Sequence, residues 1–199
     1  MMLKTSTPTL IVVRHAPVDQ KYRGVCYGRS DAILGPEGEQ LSCAVVEELA
    51  AWRQATIVHS GLQRTRFLAE RLAEQLECSA TTCEALRERD FGTWEMQPWS
   101  EIHARHPDEM LRMISEPETY RPGGGETTFE MRDRVLRWFE SLPNADLTIA
   151  VTHGGPIASL LGSQGGIPVT EWAELIPRCG QIVPIQKRAS GLCPASEQE

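Results

Sequence analysis

Three apolar runs of this chain each end abruptly in residues able to do chemistry. Leu10 to Val13 leads into Arg14-His15, Thr56 to Val58 leads into His59-Ser60 with Arg64 just beyond, and Leu147 to Val151 leads into Thr152-His153-Gly154-Gly155. Guanidinium forks match phosphate oxygens in charge and geometry, so Arg14 and Arg64 suit a dianionic phosphoryl group. Cations nearby also lower the pKa of an imidazole from about 6.5 and keep it neutral. Neutral imidazole can attack phosphorus to give a phosphohistidine, which splits one hard displacement into two easier ones. An isolated Arg-His pair would be an ordinary surface turn. Recurrence at several strand ends instead points to one crevice, provided the strands are neighbours.

The elements that must position these residues are legible in the pattern. Thr9–Val13, Thr56–Val58 and Leu147–Val151 are apolar on both faces, as strands of a buried parallel sheet require. Helical spacing runs through Glu37–Trp52, with Leu41, Val45, Leu49 and Trp52, and through Gln63–Leu76, with Phe67, Leu68, Leu72 and Leu76. Thr127 followed by Glu130 forms a capping box for a helix that continues through Met131, Val135, Trp138 and Leu142 until Pro143 stops it. Thr81–Leu86 and Gln181–Ile185 are weaker strand candidates. This alternation predicts an α/β domain over residues 1–186, a three-layer α/β/α sandwich with a mainly parallel central sheet. In such sheets ligands bind beyond the carboxyl ends of the strands, where all three motifs fall. The segment 187–199 is small, polar and acidic, and is expected to be a disordered tail.

Composition narrows the partners. The 199 residues are 41% hydrophobic and 24% charged, enough for a full core, and the net charge is −7. Nucleic acid and anionic membranes need a basic face, so neither is expected as a partner. The six cysteines include no Cys-x-x-Cys pair and no zinc-like spacing, which favours reduced thiols and a cytoplasmic setting. The opening MMLKTSTPTLIVV holds too short an apolar stretch for a signal peptide, and no window approaches a membrane span.

Taken in order, the motifs resemble those of the histidine phosphatase, or phosphoglycerate mutase-like, superfamily. Arg14-His15-Ala16 matches its Arg-His-Gly element, and Ser60, Arg64 and Thr65 match Ser-x-x-x-Arg-Thr. Glu88, Gly92, Trp94 and Glu95 match a Glu followed by Gly and Trp-Glu. "PGGGETTFEMRDRV" and "TIAVTHGGPIASLL" supply the last two elements. The resemblance spans about Leu10 to Ile185. It implies that His15 is the phosphorylated nucleophile, that Arg14, Arg64 and His153 clasp the phosphoryl oxygens, and that Glu88 is the general acid and then the base. It implies no metal and no cofactor, and leaves a homodimer open. "YRGVCYGRSDAILGPEG" looks like the loop of α-ribazole phosphatases, which act in cobalamin nucleotide-loop assembly. That likeness puts Tyr27, Gly28 and Arg29 at the substrate pocket, with Gly154 as a further contact.

Departures and rivals accompany this reading. Ala16 replaces the usual Gly and would be strained if its φ were positive; Met96 replaces the Gly that often follows Trp-Glu. His103 and His106 share a helical face but lack a third metal ligand, so a solvated helix end is expected. His59 is expected to be structural. The function expected is a metal-independent phosphomonoesterase acting on a small phosphorylated metabolite, with α-ribazole 5′-phosphate as a candidate. The alternatives are a phosphoglycerate mutase or a non-catalytic module that binds a phosphorylated ligand.

Overall fold

A computed structural model describes residues 9–143 and 146–186. The elements run β1 (Leu10–Arg14), β2 (Val25–Cys26), α1 (Pro36–Leu49), β3 (Thr56–His59), α2 (Gln63–Gln75) and β4 (Ala80–Thr82). Then come β5 (Gln97–Pro98), α3 (Trp99–Arg105), α4 (Glu109–Ser115), α5 (Thr128–Ser141), β6 (Thr148–Thr152), α6 (Gly154–Gly165) and β7 (Ile182–Ile185). The main sheet has the order β4-β3-β6-β1-β7, parallel except for the antiparallel edge strand β7. Pro184 sits on that edge, where a missing N–H is tolerated. β2 and β5 form a separate antiparallel ribbon.

Alternation along the strands explains the layers. Ile11 and Val13 of β1, with Ile149 and Val151 of β6, point to one face and pack on Val45 and Leu49 of α1 and Leu68 and Leu72 of α2. Leu10, Val12 and Ala150 point to the other face, against Val135 and Phe139 of α5 and Ile157 and Leu160 of α6. A sheet buried on both sides needs apolar residues at successive positions, which is why these runs do not alternate with polar residues. The molecule is therefore the expected α/β/α sandwich. The capping box of α5 forms as read, with Thr127 Oγ1 accepting from the Glu130 N–H and the Glu130 carboxylate from the Thr127 N–H, both at 3.0 Å.

One element differs from expectation. The strand predicted over Thr81–Leu86 ends at Thr82, because β3 offers β4 only three partners, and a 3-10 turn follows at Glu84–Leu86. That turn buries Leu86, whose carbonyl accepts from Thr152 Oγ1 at the end of β6 (2.7 Å). Glu88 is thereby tied close to the sheet terminus. The predicted tail, 187–199, lies outside the described residues. Cys26, Cys43, Cys78, Cys83 and Cys179 are free thiols. Among the described residues no helix is long and apolar enough to cross a membrane.

β6 lies between β1 and β3, and Ile149 within it is fully buried. Truncation there leaves a cavity between the sheet and the α1–α2 layer, so Ile149→Ala should destabilise the fold by about 2–5 kcal/mol in urea titrations, with an unchanged m-value.

Candidate active site

Strand register converts distant motifs into neighbours. β6 lies between β1 and β3, with Arg14 opposite Thr152 and His59 opposite Val151. The residues immediately past the strand ends, His15, Ser60 and His153, therefore meet at one end of the sheet. His15 and His153 stand edge to face, ring centroids 5.2 Å apart. Both are buried, and so is Arg64, which is 0% exposed.

The hydrogen bonds fix the ring tautomers. His15 Nδ1 lies 2.7 Å from the Ala16 carbonyl, which can only accept, so Nδ1 carries the proton and Nε2 keeps its lone pair. Ala16 is not among the described non-glycine residues with positive φ, which are Gln54, Glu77 and Met96. Alanine therefore meets no left-handed penalty beside the imidazole; the strained departure is Met96, at φ +64°. On the second ring, Arg64 Nε donates to His153 Nδ1 (3.3 Å), leaving Nε2–H to donate to Ser60 Oγ (2.8 Å). Ser60 passes its own hydrogen to Thr65 Oγ1 (2.9 Å), and Thr65 donates to the Leu62 carbonyl (2.8 Å). His153 is thus held in one tautomer by a chain of hydroxyls from the start of α2.

Arg64 is held as firmly. Its two terminal nitrogens donate to the carbonyls of Ser30 (2.8 Å) and Gly28 (2.6 Å), and the Tyr27 ring lies 5.0 Å from its guanidinium carbon. Arg14 donates to the Pro177 carbonyl (2.7 Å), while its buried Nε has no hydrogen-bond partner. Among the described residues neither arginine has a carboxylate within 4 Å. Burial and the charge of Arg64, with a smaller contribution from Arg14, push the His15 pKa down to about 3. The same causes, burial first, hold His153 well below the ordinary imidazole range. Two neutral rings thus face two positive charges with no directly paired carboxylate among the described residues, Glu88 acting on Arg64 from farther away.

Glu88 stands beside this cluster. Its carboxylate accepts from the Arg89 N–H (3.0 Å) and from the Gly155 N–H at the start of α6 (3.4 Å). A side chain at Gly155 would collide with it, since an added Cβ would lie 2.4 Å from Glu88 Oε1. Its carbonyl accepts from Arg29 Nε (3.3 Å) and Arg134 (3.1 Å), and the Glu126 carboxylate bridges those two arginines at 3.2 and 2.8 Å. Arg29, predicted at the pocket rim, therefore turns its guanidinium toward Glu126 and Asp90 and pins the loop instead. Gly28 lines the cavity, as does Tyr27, whose ring is 6.5 Å from that of His15. Gly154 packs beside the Arg14 guanidinium; its neighbour Gly155 is the one that reaches the cavity.

Sequence reasoning gave Glu95 only as a family match. Its carboxylate gathers the N–H groups of Arg29, Ser30 and Phe91 and the Ser30 hydroxyl, at 2.6–3.2 Å. Gly28, at φ +33°, leaves no room for a side chain there, as a Cβ would lie 2.3 Å from Glu95 Oε1. Nothing in the spacing of Glu126 and Arg134 signalled their part in holding Glu88. His106 falls just past α3 and stacks on Trp94 (5.9 Å) with Nδ1 3.2 Å from Glu109, so it does not share a helix face with His103. No group of three or more potential metal ligands occurs among the described residues. His59 accepts from the Gly61 N–H (3.1 Å), a structural role as expected.

A family model described as "Histidine phosphatase superfamily (branch 1)" matches residues 10–187. The chain belongs to the histidine phosphatase superfamily. Its relatives are phosphatases and phosphoglycerate mutases, which places it among enzymes that act on phosphoryl groups. A probable phosphoglycerate mutase, GpmB, of Salmonella paratyphi C is 29% identical over 166 residues, covering 82% of this chain and 76% of the relative. A mycobacterial glucosyl-3-phosphoglycerate phosphatase superposes with a TM-score of 0.75 at 26% identity, over 87% of each chain. The α-ribazole phosphatase of Shigella flexneri shares the fold, with a TM-score of 0.77 at 18% identity over 92% of this chain and 98% of that one.

Neutral burial of His15 has a consequence for stability. Its folded pKa, about 3, is below that of the unfolded chain, about 6.5, so stability is present above pH 6.5 and is lost as pH falls toward 3. His153 acts with the same sign. Urea midpoints between about pH 6.5 and pH 4 should therefore fall less steeply for His15→Asn than for the wild type.

Proposed function

We propose that this protein is a metal-independent phosphomonoesterase working through a phosphohistidine on His15. The observation that carries the reading is the pair Arg14 and Arg64, buried or half-buried without carboxylates, beside an imidazole whose Nε2 lone pair is free. A buried guanidinium is costly unless an anion compensates it, and a phosphoryl dianion supplies that charge. His15 Nε2 attacks phosphorus as the P–O bond to the alcohol breaks, and Glu88 delivers a proton to the departing oxygen. Glu88, now a carboxylate, takes a proton from water, which attacks phosphorus and releases His15 and inorganic phosphate. Phosphoryl transfer has a loose transition state, so fixed charge and position do most of the catalysis. Arg14 and Arg64 receive the equatorial oxygens. His153 accepts from Arg64 Nε in the resting site, and joins the clasp when the bound dianion draws a proton onto Nδ1 as Arg64 releases it.

The natural substrate in this reading is a small phosphorylated metabolite in the cytoplasm. α-Ribazole 5′-phosphate is a candidate, supported by the look of the loop through Tyr27, Gly28 and Arg29 and by the shared fold. A second reading, phosphoglycerate mutase chemistry, is favoured by the names of the curated relatives. It uses the same nucleophile but returns the phosphoryl group to bound substrate. Against it, the segment between Glu88 and His153 is short for the insertions that would shield the intermediate from water.

Two sets of measurements test this. Labelled substrate should leave an acid-labile phosphoenzyme, His15→Ala should abolish both label and turnover, and chelator should leave the rate unchanged. Normal turnover by His15→Ala would refute the mechanism. Glu88→Gln should lower kcat on alkyl phosphates by about two to four powers of ten. Given 3-phosphoglycerate with a trace of 2,3-bisphosphoglycerate, phosphate release should outpace isomerisation; the reverse favours the mutase.

A further inference from the structure

A cavity of about 760 Å³ adjoins the catalytic cluster: Tyr27, whose ring is 6.5 Å from that of His15, lines its near end with Gly28, Glu88 and Gly155. Cavities of roughly 300–1,000 Å³ hold drug-sized ligands, so a glycerate-sized alcohol would leave most of this one unfilled. Most of the remaining wall is apolar and aromatic. Phe91 and Trp99 meet edge to face at 5.4 Å, Trp172 is fixed by its Nε1–H on the Ile167 carbonyl (2.9 Å), and Met110, Met113 and Met131 add thioethers. Trp172 is locked against Gly162 of α6, where a Cβ would lie 2.1 Å from its Nε1. The aromatic walls are thus preformed, while the methionines can adapt to the outline of a ligand.

The charged groups argue in the same direction. Asp19 and Glu37 both line the cavity and repel a second anionic group on the substrate. Two cations line it. Arg23 is exposed at the mouth, and Arg89 is tied to the wall through the Glu126 carbonyl (3.1 Å) and the Thr128 hydroxyl. We infer that the substrates are phosphomonoesters whose alcohol carries a bulky, apolar, aromatic body, with the phosphoryl group as their sole strong anion. This rests on the phosphatase reading and narrows it: the aromatic body fills the space between Phe91, Trp99, Trp172 and the three methionines while His15 attacks phosphorus.

Matched leaving groups test the inference. Ethyl phosphate and 2-(1-naphthyl)ethyl phosphate both release a primary alcohol, so they differ chiefly in what occupies the cavity. The naphthyl ester should have a kcat/KM roughly 100-fold higher, from the apolar area it buries. It should also exceed 3-phosphoglycerate by at least that factor, with α-ribazole 5′-phosphate ranking beside it. Met113→Asp should collapse the ratio between the naphthyl and ethyl esters, and Met113→Leu should restore it, which separates occupancy from a folding defect. Equal kcat/KM for the naphthyl and ethyl esters, or preference for 3-phosphoglycerate, would overturn the inference while leaving the phosphatase reading intact. Absence of turnover and of phosphoenzyme with every ester would instead remove the phosphatase reading. In that event, binding of 2-(1-naphthyl)ethanol, followed by quenching of tryptophan fluorescence, still decides the cavity: saturable quenching supports it and none overturns it.

Discussion

Positive charge buried without a carboxylate is the constraint around which this molecule is arranged. In an acidic chain, Arg14 and Arg64 could easily have acquired Asp or Glu partners, yet backbone carbonyls meet them instead. A carbonyl orients a guanidinium without cancelling its charge. That leaves the positive potential available to an anion, and the same potential adds to burial, the larger cause, in keeping both imidazoles unprotonated. The nucleophile's reactivity and the anion's affinity thus share part of their electrostatic source.

Holding such a site together falls to groups farther out. Arg64 depends on the carbonyls of Gly28 and Ser30, and those residues are held by the Glu95 carboxylate. Glu88 depends on Arg29 and Arg134, which Glu126 draws together. Apart from Glu88, the carboxylates stand one layer away, Glu95 on backbone N–H groups and Glu126 on arginines that fix backbone rather than bind phosphate. A carboxylate moved one layer inward would neutralise the centre. This separation explains why the chain holds several buried or half-buried arginines with different work to do.

The cavity beyond is built on the opposite plan. Its walls come largely from segments outside the central sheet, namely residues 17–28, those flanking β5, α4 and the turn that carries Trp172, with Met131 of α5 and Gly155 and Ala158 of α6 completing them. Phosphoryl chemistry is thereby anchored at the rigid strand ends, while the shape that meets the alcohol is left to peripheral segments. Change in those segments can alter the cavity without disturbing the register of β1 and β6.

The sequence by itself determined the layers and the reactive end of the sheet. Runs such as Leu10–Val13 are apolar at every position, which only a strand covered on both faces tolerates, and polar residues following them mark the carboxyl ends. Thr127 and Glu130 likewise placed the start of α5 through contacts within one helical turn. Tertiary structure alone decided that β6 inserts between β1 and β3, which is what brings His15 and His153 within 5.2 Å. It alone turned Arg29 away from the cavity and toward Glu126, exchanged Gly154 for Gly155 at its wall, and ended β4 at Thr82. These outcomes depend on partners tens of residues away. Local pattern records which face of an element is buried, but not which distant group will satisfy a given hydrogen bond or charge.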